Sequence, residues 1–171
     1  MTNQMTADAI IKKLELLPHP EGGYYRETYR SQGSIDETSL PDDILGRRDY
    51  GTAIYFLLTA DQSSKFHRLK SDEIWHFHLG DGIEIVEICK TEKKPISIKM
   101  GQRIFEDETL QHCVAANTWF GARSRQDKES AYGFSLISCT VSPGFDFHDF
   151  ELAGEGFAEG MEGLDDFRDL I

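Results

Sequence analysis

Histidine and glutamate side chains are concentrated in one stretch of the chain. His67, Glu73, His76 and His78 lie within twelve positions of one another. Imidazole and carboxylate groups can bind a metal ion together, or they can act as general acid and general base. We therefore treat His67 and Glu73 as the central pair of a candidate catalytic site. The structural alternative is a buried histidine and carboxylate that merely satisfy each other.

The direction of these side chains depends on the strand that carries them. Side chains alternate along a strand, so a Glu73 that faces the interior brings three apolar residues with it: Trp75, Phe77 and Leu79. His76 and His78 then face outward, unless a bulge reverses the order. Facing inward they would bind the ligand, and facing outward they would lie at a dimer contact or in a supporting hydrogen-bond network.

Other polar and aromatic side chains could complete a ligand site. Tyr24 or Tyr55 could supply the acid that a proton-transfer reaction requires. The Arg26 guanidinium suits a phosphate or carboxylate on a ligand, or else a glutamate at a subunit contact. Trp119 and Phe120 could stack on a flat ring or a sugar face, or could be plain core.

The remaining histidines and the cysteines are expected to be structural. His112 precedes two apolar residues on a predicted strand, whereas His19 and His148 lie near turns, where we expect solvated side chains. The cysteines are odd in number and show no CxxC spacing, so buried free thiols are predicted at Cys89, Cys113 and Cys139.

The elements that must position these residues are mostly short strands. Apolar residues at helical spacing predict a helix over 6–17, which prolines follow. Between 20 and 152, short apolar runs alternate with glycine and proline turns, which predicts an all-β sandwich or barrel in one domain. Residues 153–171 form an acidic tail that could end in a short helix over 161–171.

Charge and composition narrow the classes of partner. The chain has 18 basic and 30 acidic residues, a formal net charge of -12. This sign repels nucleic acid and anionic membrane surfaces. No apolar run approaches the roughly 20 residues that span a bilayer, so we expect a cytoplasmic protein that acts on a small molecule.

The His67–Gly80 stretch resembles the first motif of the cupin superfamily, with His67 at the first histidine, Glu73 at the glutamate and Gly80 six residues later. Two positions depart from the pattern: Leu69 and Phe120 stand where the second and fourth metal ligands belong. The resemblance therefore implies the cupin double-stranded β-helix, a jelly-roll barrel, more than it implies a metal. Any divalent metal would rest on His67 and Glu73, whereas closed and catalytic sites use three or four ligands.

A longer set of phrases is similar to an uncharacterised cupin subfamily with an RmlC-like jelly roll. The phrases begin at Leu17, Thr52, Phe66, Asp72, Trp119 and Val141, and the likeness covers about residues 10–152. The resemblance implies a homodimer and no settled activity. The resemblance also suggests sugar-nucleotide epimerases and isomerases as neighbours, whose pockets work by acid–base chemistry without a metal.

Three functions are therefore open. The first is a metal-independent isomerase or epimerase with His67 as the base, Glu73 orienting it, and a tyrosine as the acid. The second is a metal enzyme with an atypical site that adds His76, His78 or His112 to the central pair. The third is a binding module that holds a sugar, nucleotide or similar metabolite without converting it.

Overall fold

The chain folds into two large antiparallel sheets and one small ladder. The computed structural model describes residues 5–125 and 132–171. Its one α-helix, α1, spans Ala7–Leu14. The strands in chain order are β1 (Leu17–Pro18), β2 (Tyr24–Arg30), β3 (Ser34–Ile35), β4 (Arg48–Asp49), β5 (Thr52–Thr59), β6 (Ser63–Leu69), β7 (Asp72–Gly80), β8 (Ile83–Ile88), β9 (Pro95–Met100), β10 (Gln111–Val114), β11 (Phe120–Ser124), β12 (Phe134–Ser142) and β13 (Phe150–Leu152). Three short 3₁₀ helices cover Glu37–Ser39, Phe147–Asp149 and Asp165–Leu170.

The strand order is that of a jelly roll. The six-stranded sheet runs β1-β2-β5-β12-β7-β10, and the five-stranded sheet runs β13-β6-β11-β8-β9, while β3 and β4 pair apart from both. Neighbours in space are mostly distant in sequence, as expected when a folded-over ribbon of strands closes into a barrel. The all-β jelly-roll barrel predicted from the sequence is confirmed.

The main apolar core fills the space between the two sheets. Its fully buried side chains come from both, and they include Phe56, Trp75, Ile85, Phe120 and Ile137. Strands β5 and β12 pair over eight residues at the centre of the six-stranded sheet. This long, regular pairing holds the inner face on which one wall of the barrel interior is built.

Helix α1 covers part of the outer face of the six-stranded sheet. Thr6 caps its start, accepting a hydrogen bond from the Ala9 amide at 3.3 Å. The helix ends at Leu14, three residues before the predicted end, because Glu15 adopts a left-handed conformation and β1 then joins the sheet. Apolar residues of α1 pack with buried Leu16 and with sheet residues Leu57, Phe134 and Leu136.

A bulge in β7 changes which side chains face the barrel interior. Leu79 pairs with Leu136 and Phe77 pairs with Ile137, so His78 is an extra residue in β7. Glu73, Trp75 and Phe77 precede the extra residue and face inward, as alternation from an inward-facing Glu73 requires. Leu79 does not: the extra residue turns it to the outer face, where it packs beneath α1.

The C-terminal segment packs on the outer face of the five-stranded sheet. Leu164 and Leu170 are buried there, in a cluster with Phe66, Val86 and Ile88. In the segment 153–171, expected to be an acidic tail, these apolar residues are therefore buried. The terminal helix predicted over 161–171 is shorter and is a 3₁₀ helix, Asp165–Leu170.

Within the described ranges, none of the helices has the length and apolar character that a bilayer crossing requires.

Candidate functional site

A pocket of about 600 Å³ opens between the two sheets at one end of the barrel. Its size is in the range of small-molecule sites. Inward-facing residues of β2, β5, β6, β7 and β12 form its floor and walls, and the segment 145–150 lies at its rim. The lining residues are His19, Glu21, Tyr25, Glu27, Arg30, Thr52, Ile54, Phe56, His67, Leu69, Glu73, Cys139, Val141, Phe145, Asp146, Phe147, His148 and Phe150.

His67 and Glu73, the central pair predicted from the sequence, both lie on the pocket floor. His67 comes from β6 and is 2% exposed, and Glu73 comes from β7 and is 7% exposed. Burial lowers the pKa of His67, because the low-dielectric interior disfavours the imidazolium. Burial likewise raises the pKa of Glu73 to about 7, although the nearby His67 opposes part of that change.

The Glu73 carboxyl group is incompletely satisfied. Its Oε2 atom is buried and makes no hydrogen bond of good geometry with the residues that the structure describes, although the Trp75 indole and the Cys139 thiol lie close enough to the carboxyl group to oppose part of the rise in its pKa. A buried oxygen in this condition costs free energy that a partner would recover. Because Glu73 lines the pocket, a ligand with an N–H or O–H group could supply the missing hydrogen bond.

Two further ionisable residues reach the floor from the turn before β2. Glu21 is 6% exposed, and its Oε2 lies 3.3 Å from His67 Nε2 and 3.4 Å from His19 Nδ1. The Ser64 hydroxyl donates to Glu21 Oε1 at 2.8 Å. The floor therefore carries two carboxyl groups and two imidazoles rather than one pair.

Close backbone packing places this turn against β6. The Lys65 amide donates to the Glu21 carbonyl at 2.8 Å, and the Gly22 amide donates to the His19 carbonyl at 3.0 Å. Gly22 has φ +109°, and a Cβ there would lie 2.1 Å from the Ser63 carbonyl oxygen. Only glycine fits, since a side chain would force the turn, and Glu21 with it, away from the floor.

The sequence prediction that His19 is solvated is wrong. The His19 side chain is 6% exposed, and its ring lies 4.5 Å from that of Tyr25 and 5.9 Å from that of Phe56, centroid to centroid. Burial lowers its pKa. Glu21 was missed altogether, because the segment was interpreted as a turn and turn residues are usually exposed.

The hydrogen bonds indicate where the protons reside. His67 Nδ1 lies 2.7 Å from the Lys65 carbonyl oxygen, which can only accept, so Nδ1 carries a proton. In the neutral ring, Nε2 is then an acceptor facing Glu21. Burial raises the pKa of Glu21, whose Oε2 lies 3.3 Å from that nitrogen.

The pocket rim is aromatic and is anchored by a buried ion pair. Phe145, Phe147 and Phe150 contact one another edge to face, with centroids 4.9 to 6.3 Å apart. Arg48 of β4 holds this segment in place: its Nε and Nη2 donate to the two oxygens of Asp149 at 2.7 and 2.9 Å. Both side chains are 5% exposed.

Three residues predicted from the sequence to serve the site lie elsewhere. Tyr24 and Tyr55, the predicted acids, are on the outer face of the six-stranded sheet, packed with the α1 cluster. Arg26 also points outward, where it binds Glu15 at 2.9 Å. In β2 it is Tyr25 that faces the pocket, together with Glu27 and Arg30.

A second bulge explains the position of Arg30. The pairing of β2 with β5 shifts between Glu27 and Tyr29, so Thr28 is an extra residue. The bulge brings Arg30 to the same face as Glu27, whereas strict alternation along the strand would place it on the opposite face with Arg26.

His76 and His78 face outward, on the exposed side of the six-stranded sheet. His76 Nε2 lies 3.2 Å from the Thr140 hydroxyl, and His78 Nε2 lies 2.9 Å from that of Ser138. They form a surface hydrogen-bond network and do not reach the pocket. His112 is also outside it, paired with Glu87 at 2.5 Å.

Trp119 and Phe120, the two aromatic candidates, lie on opposite sides of the five-stranded sheet. Trp119 lies on the outer side, where the Arg68 guanidinium sits 4.7 Å from its ring centroid. Phe120 faces inward in the core, with its ring 4.1 Å from that of His67. Phe120 thus holds the imidazole in place from behind and does not line the pocket.

The thiols differ in exposure, contrary to the prediction that all three are buried. Cys113 is exposed and Cys89 is half-buried, whereas Cys139 is buried in the pocket wall. Burial raises the pKa of Cys139 well above its ordinary value, so it remains a thiol beside Glu73.

His148 is solvated, as expected from the sequence. It lies at the pocket rim with its side chain 89% exposed.

The residues present do not fit a metal ion. Across residues 5–125 and 132–171, no group of three or more His, Cys, Asp or Glu side chains is arranged to hold one. Leu69 lines the pocket, and Phe120 abuts His67, at the two positions where the cupin pattern places further ligands.

The fold and the match to a family model place this chain in the cupin superfamily. The model described as Cupin superfamily (DUF985) matches residues 8–153, so the chain belongs to that family. The membership predicted from the His67–Gly80 motif is thereby confirmed.

Relatives and solved structures agree with this assignment. Uncharacterized protein YML079W of Saccharomyces cerevisiae is 29% identical over 168 residues, which is 95% of this chain and 78% of that protein. Protein SO0799 of Shewanella oneidensis is 39% identical with a TM-score of 0.78, covering 91% of this chain and 89% of that one. A hypothetical protein from Leishmania major is also 39% identical, with a TM-score of 0.76 and coverage of 85% and 86%. Oxalate decarboxylase from Bacillus subtilis, 11% identical with a TM-score of 0.54 over 83% of this chain and 31% of that one, shares the fold alone.

Proposed function

We propose that this protein is a metal-independent enzyme that transfers a proton to or from a small molecule bound in the barrel, as an isomerase or epimerase does. The observation that carries the proposal is Glu73. Its carboxyl group lines the pocket, has a buried oxygen without a partner, and has a pKa raised to about 7.

A carboxyl group with this pKa suits proton transfer near neutral pH. At pH 7 the acid and its conjugate base are present in similar amounts, so neither donating nor accepting a proton is strongly uphill. Burial is the main reason for the raised pKa, and the second carboxyl group, Glu21, acts in the same direction. Glu73 is thus the group that we assign to exchange a proton with the ligand.

The role of His67 changes from that expected on sequence grounds. Its Nδ1 is fixed by the Lys65 carbonyl and its Nε2 faces Glu21, so Glu73 does not orient the ring. His67 Nε2 and the Glu21 carboxyl group instead lie side by side next to Glu73, 3.3 Å apart. A proton can pass between them if charge develops on the ligand, which makes His67 the second group of an acid–base pair.

Hydrogen exchange with solvent tests this assignment directly. Carbonyl compounds, including aldoses, ketoses and nucleotide sugars, are incubated with the protein in D₂O, and deuterium entering the carbon next to the carbonyl is followed by NMR. We expect exchange in at least one compound. In Glu73→Gln the exchange rate should fall by at least about 100-fold, the loss typical of a missing acid–base group. The exposed Glu92→Gln serves as the matched control and should exchange at the wild-type rate.

The contrary results are equally clear. Exchange that persists in Glu73→Gln would remove Glu73 from the reaction. A compound that raises the melting temperature of the protein but shows no exchange or conversion would instead favour a binding module.

A further inference from the structure

The charges that line the pocket point to the class of ligand it accepts. Among the described residues, four carboxyl groups face the pocket against one guanidinium, that of Arg30; the carboxyl groups are those of Glu21, Glu27, Glu73 and Asp146. Sites for phosphates and carboxylates present arginine, lysine or a helix N-terminus to the anion. Among the described lining residues this pocket offers an anion no cationic group without a carboxyl partner, because Arg30 is paired with Glu27 and His148 with Asp146.

The guanidinium of Arg30 is already occupied. Its Nε and Nη2 donate to the two oxygens of Glu27 at 3.0 and 2.7 Å, and its Nη1 donates to Asp49 at 2.8 Å. Nη2 also approaches the Phe145 carbonyl at 3.3 Å. These contacts use four of the five N–H groups of Arg30, so an anion could make a bidentate contact with Arg30 only by displacing one of the present partners.

The histidines do not supply the missing positive charge. Burial lowers the pKa of both His19 and His67, so both imidazoles are neutral near pH 7. His148 is paired with Asp146 at the rim, Nδ1 to Oδ1 2.6 Å.

The rest of the lining is apolar and largely aromatic. Phe56 lies at the base, Tyr25 on one wall, and Phe145, Phe147 and Phe150 at the rim. Such rings stack well on a flat or cyclic molecule, and their faces also attract a cation. On the floor, the free oxygen of Glu73 accepts a hydrogen bond.

We infer that the pocket selects an uncharged or cationic ring compound that carries an N–H or O–H donor, and that it rejects phosphorylated and carboxylated molecules. The inference deepens the proposed function by naming its substrate class. It disfavours the nucleotides and nucleotide sugars that the sequence had left open. The donor on the ligand pairs with Glu73, and the ring lies between the aromatic walls.

A set of probes that share one ring and differ in charge tests the inference. Tryptophol is uncharged, tryptamine is a cation and indole acetate is an anion, and all three carry the same indole N–H. Their affinities for the full-length protein are measured at neutral pH by ligand-observed NMR. We expect tryptophol and tryptamine to bind. Indole acetate should bind at least about tenfold more weakly, the cost of one unmatched charge contact.

A variant that releases Arg30 should change this preference. Glu27→Gln removes the carboxylate that occupies Nε and Nη2, so the affinity for indole acetate should rise several-fold relative to that for tryptophol. Glu15→Gln is the matched control, since it breaks the Arg26–Glu15 ion pair on the outer face and should leave all three affinities as they were.

Equal affinity for the three probes, a preference for indole acetate, or binding by none of them would overturn the inference. These results are distinguishable from failure of the proposed function. A conversion that depends on Glu73 but acts on an anionic substrate would leave proton transfer standing and remove the ligand class. Selective binding of uncharged probes without hydrogen exchange would do the reverse.

Discussion

Glu73 has a carboxyl group that water cannot fully solvate. The residue is 7% exposed, and its pKa is raised to about 7 from the ordinary value of 4.5, chiefly by burial. Between these two pH values the folded protein keeps a proton that the unfolded chain has lost. Glu73 therefore favours the folded state below pH 4.5, and this contribution is lost as the pH rises through 7.

Comparing Glu73→Gln with the wild type isolates that contribution. Glutamine does not titrate, so the free energy of unfolding of the wild type should fall relative to the variant by about 3 kcal/mol between pH 4.5 and 8. Urea unfolding at a series of pH values measures this difference. Glu92→Gln should run parallel to the wild type, and parallel curves for Glu73→Gln would show that Glu73 is not titrating in this window.

Residue types and spacing were enough to single out His67 and Glu73 but not their neighbours. The His67–Gly80 motif puts both on consecutive strands, β6 and β7, which belong to different sheets and face one interior. His19 and Glu21 reach the same floor through a turn whose position depends on contact with Ser63 and Lys65, more than 40 positions away in the chain. No local pattern carries that information, so an expectation of solvent exposure was the natural one and was wrong.

At the scale of elements, the rim of the pocket depends on a short strand and a 3₁₀ helix tied together by charge. Arg48 in β4 and Asp149 at the end of Phe147–Asp149 form a bidentate pair with both side chains 5% exposed. Removing Arg48 leaves the buried Asp149 carboxylate with Lys70 Nζ, 3.8 Å from its Oδ1, as its remaining cationic partner among the described residues, so its charge is less well compensated. The pair therefore fixes where Phe147 and Phe150 stand over the opening.

Arg48→Ala should lower the free energy of unfolding by about 3 to 5 kcal/mol, measured by urea denaturation. Arg68→Ala is the control: it breaks the exposed Arg68–Glu151 pair and the contact of Arg68 with the Trp119 ring, and should cost about 1 to 2 kcal/mol. Replacing both partners, as in Arg48→Met with Asp149→Leu, should recover much of the loss. Equal effects of Arg48→Ala and Arg68→Ala would mean that burial of the first pair has no consequence.

Bulges set the limit of prediction at this scale. Alternation from an inward-facing Glu73 gives Trp75 and Phe77 inside and His76 outside, the arrangement that the structure has, but the sequence left open whether a bulge interrupts it. One extra residue does so in each of two strands, before Leu79 in β7 and before Arg30 in β2. A bulge is specified by pairing with the next strand, which a single strand's sequence does not show.

At the scale of the whole molecule, each sheet is covered on its outer side by a chain terminus. Helix α1 lies on the six-stranded sheet, and the segment ending in Asp165–Leu170 lies on the five-stranded sheet. The composition of 153–171 predicted an acidic solvated tail, yet its sparse apolar residues are the ones that dock. The homodimer expected from the family resemblance stays a prediction.

Leu170→Ala tests the contribution of this docking. Leu170 is fully buried, so the substitution should lower the free energy of unfolding by about 3 kcal/mol through lost contacts and a cavity. Leu17→Ala, at a side chain 66% exposed, should change it by less than about 0.5 kcal/mol. A Leu170→Ala protein as stable as wild type would mean that the C-terminal segment is only loosely attached.

The half-titrated floor of the pocket has a consequence for any molecule that enters it. Glu73 gives up or keeps its proton according to small changes around it, and a ligand that fills the space brings its own dipoles within reach of that oxygen. Occupancy and protonation are then linked in both directions, so that each shifts the equilibrium of the other. Ligand binding near neutral pH is therefore expected to be accompanied by the uptake or release of a fraction of a proton.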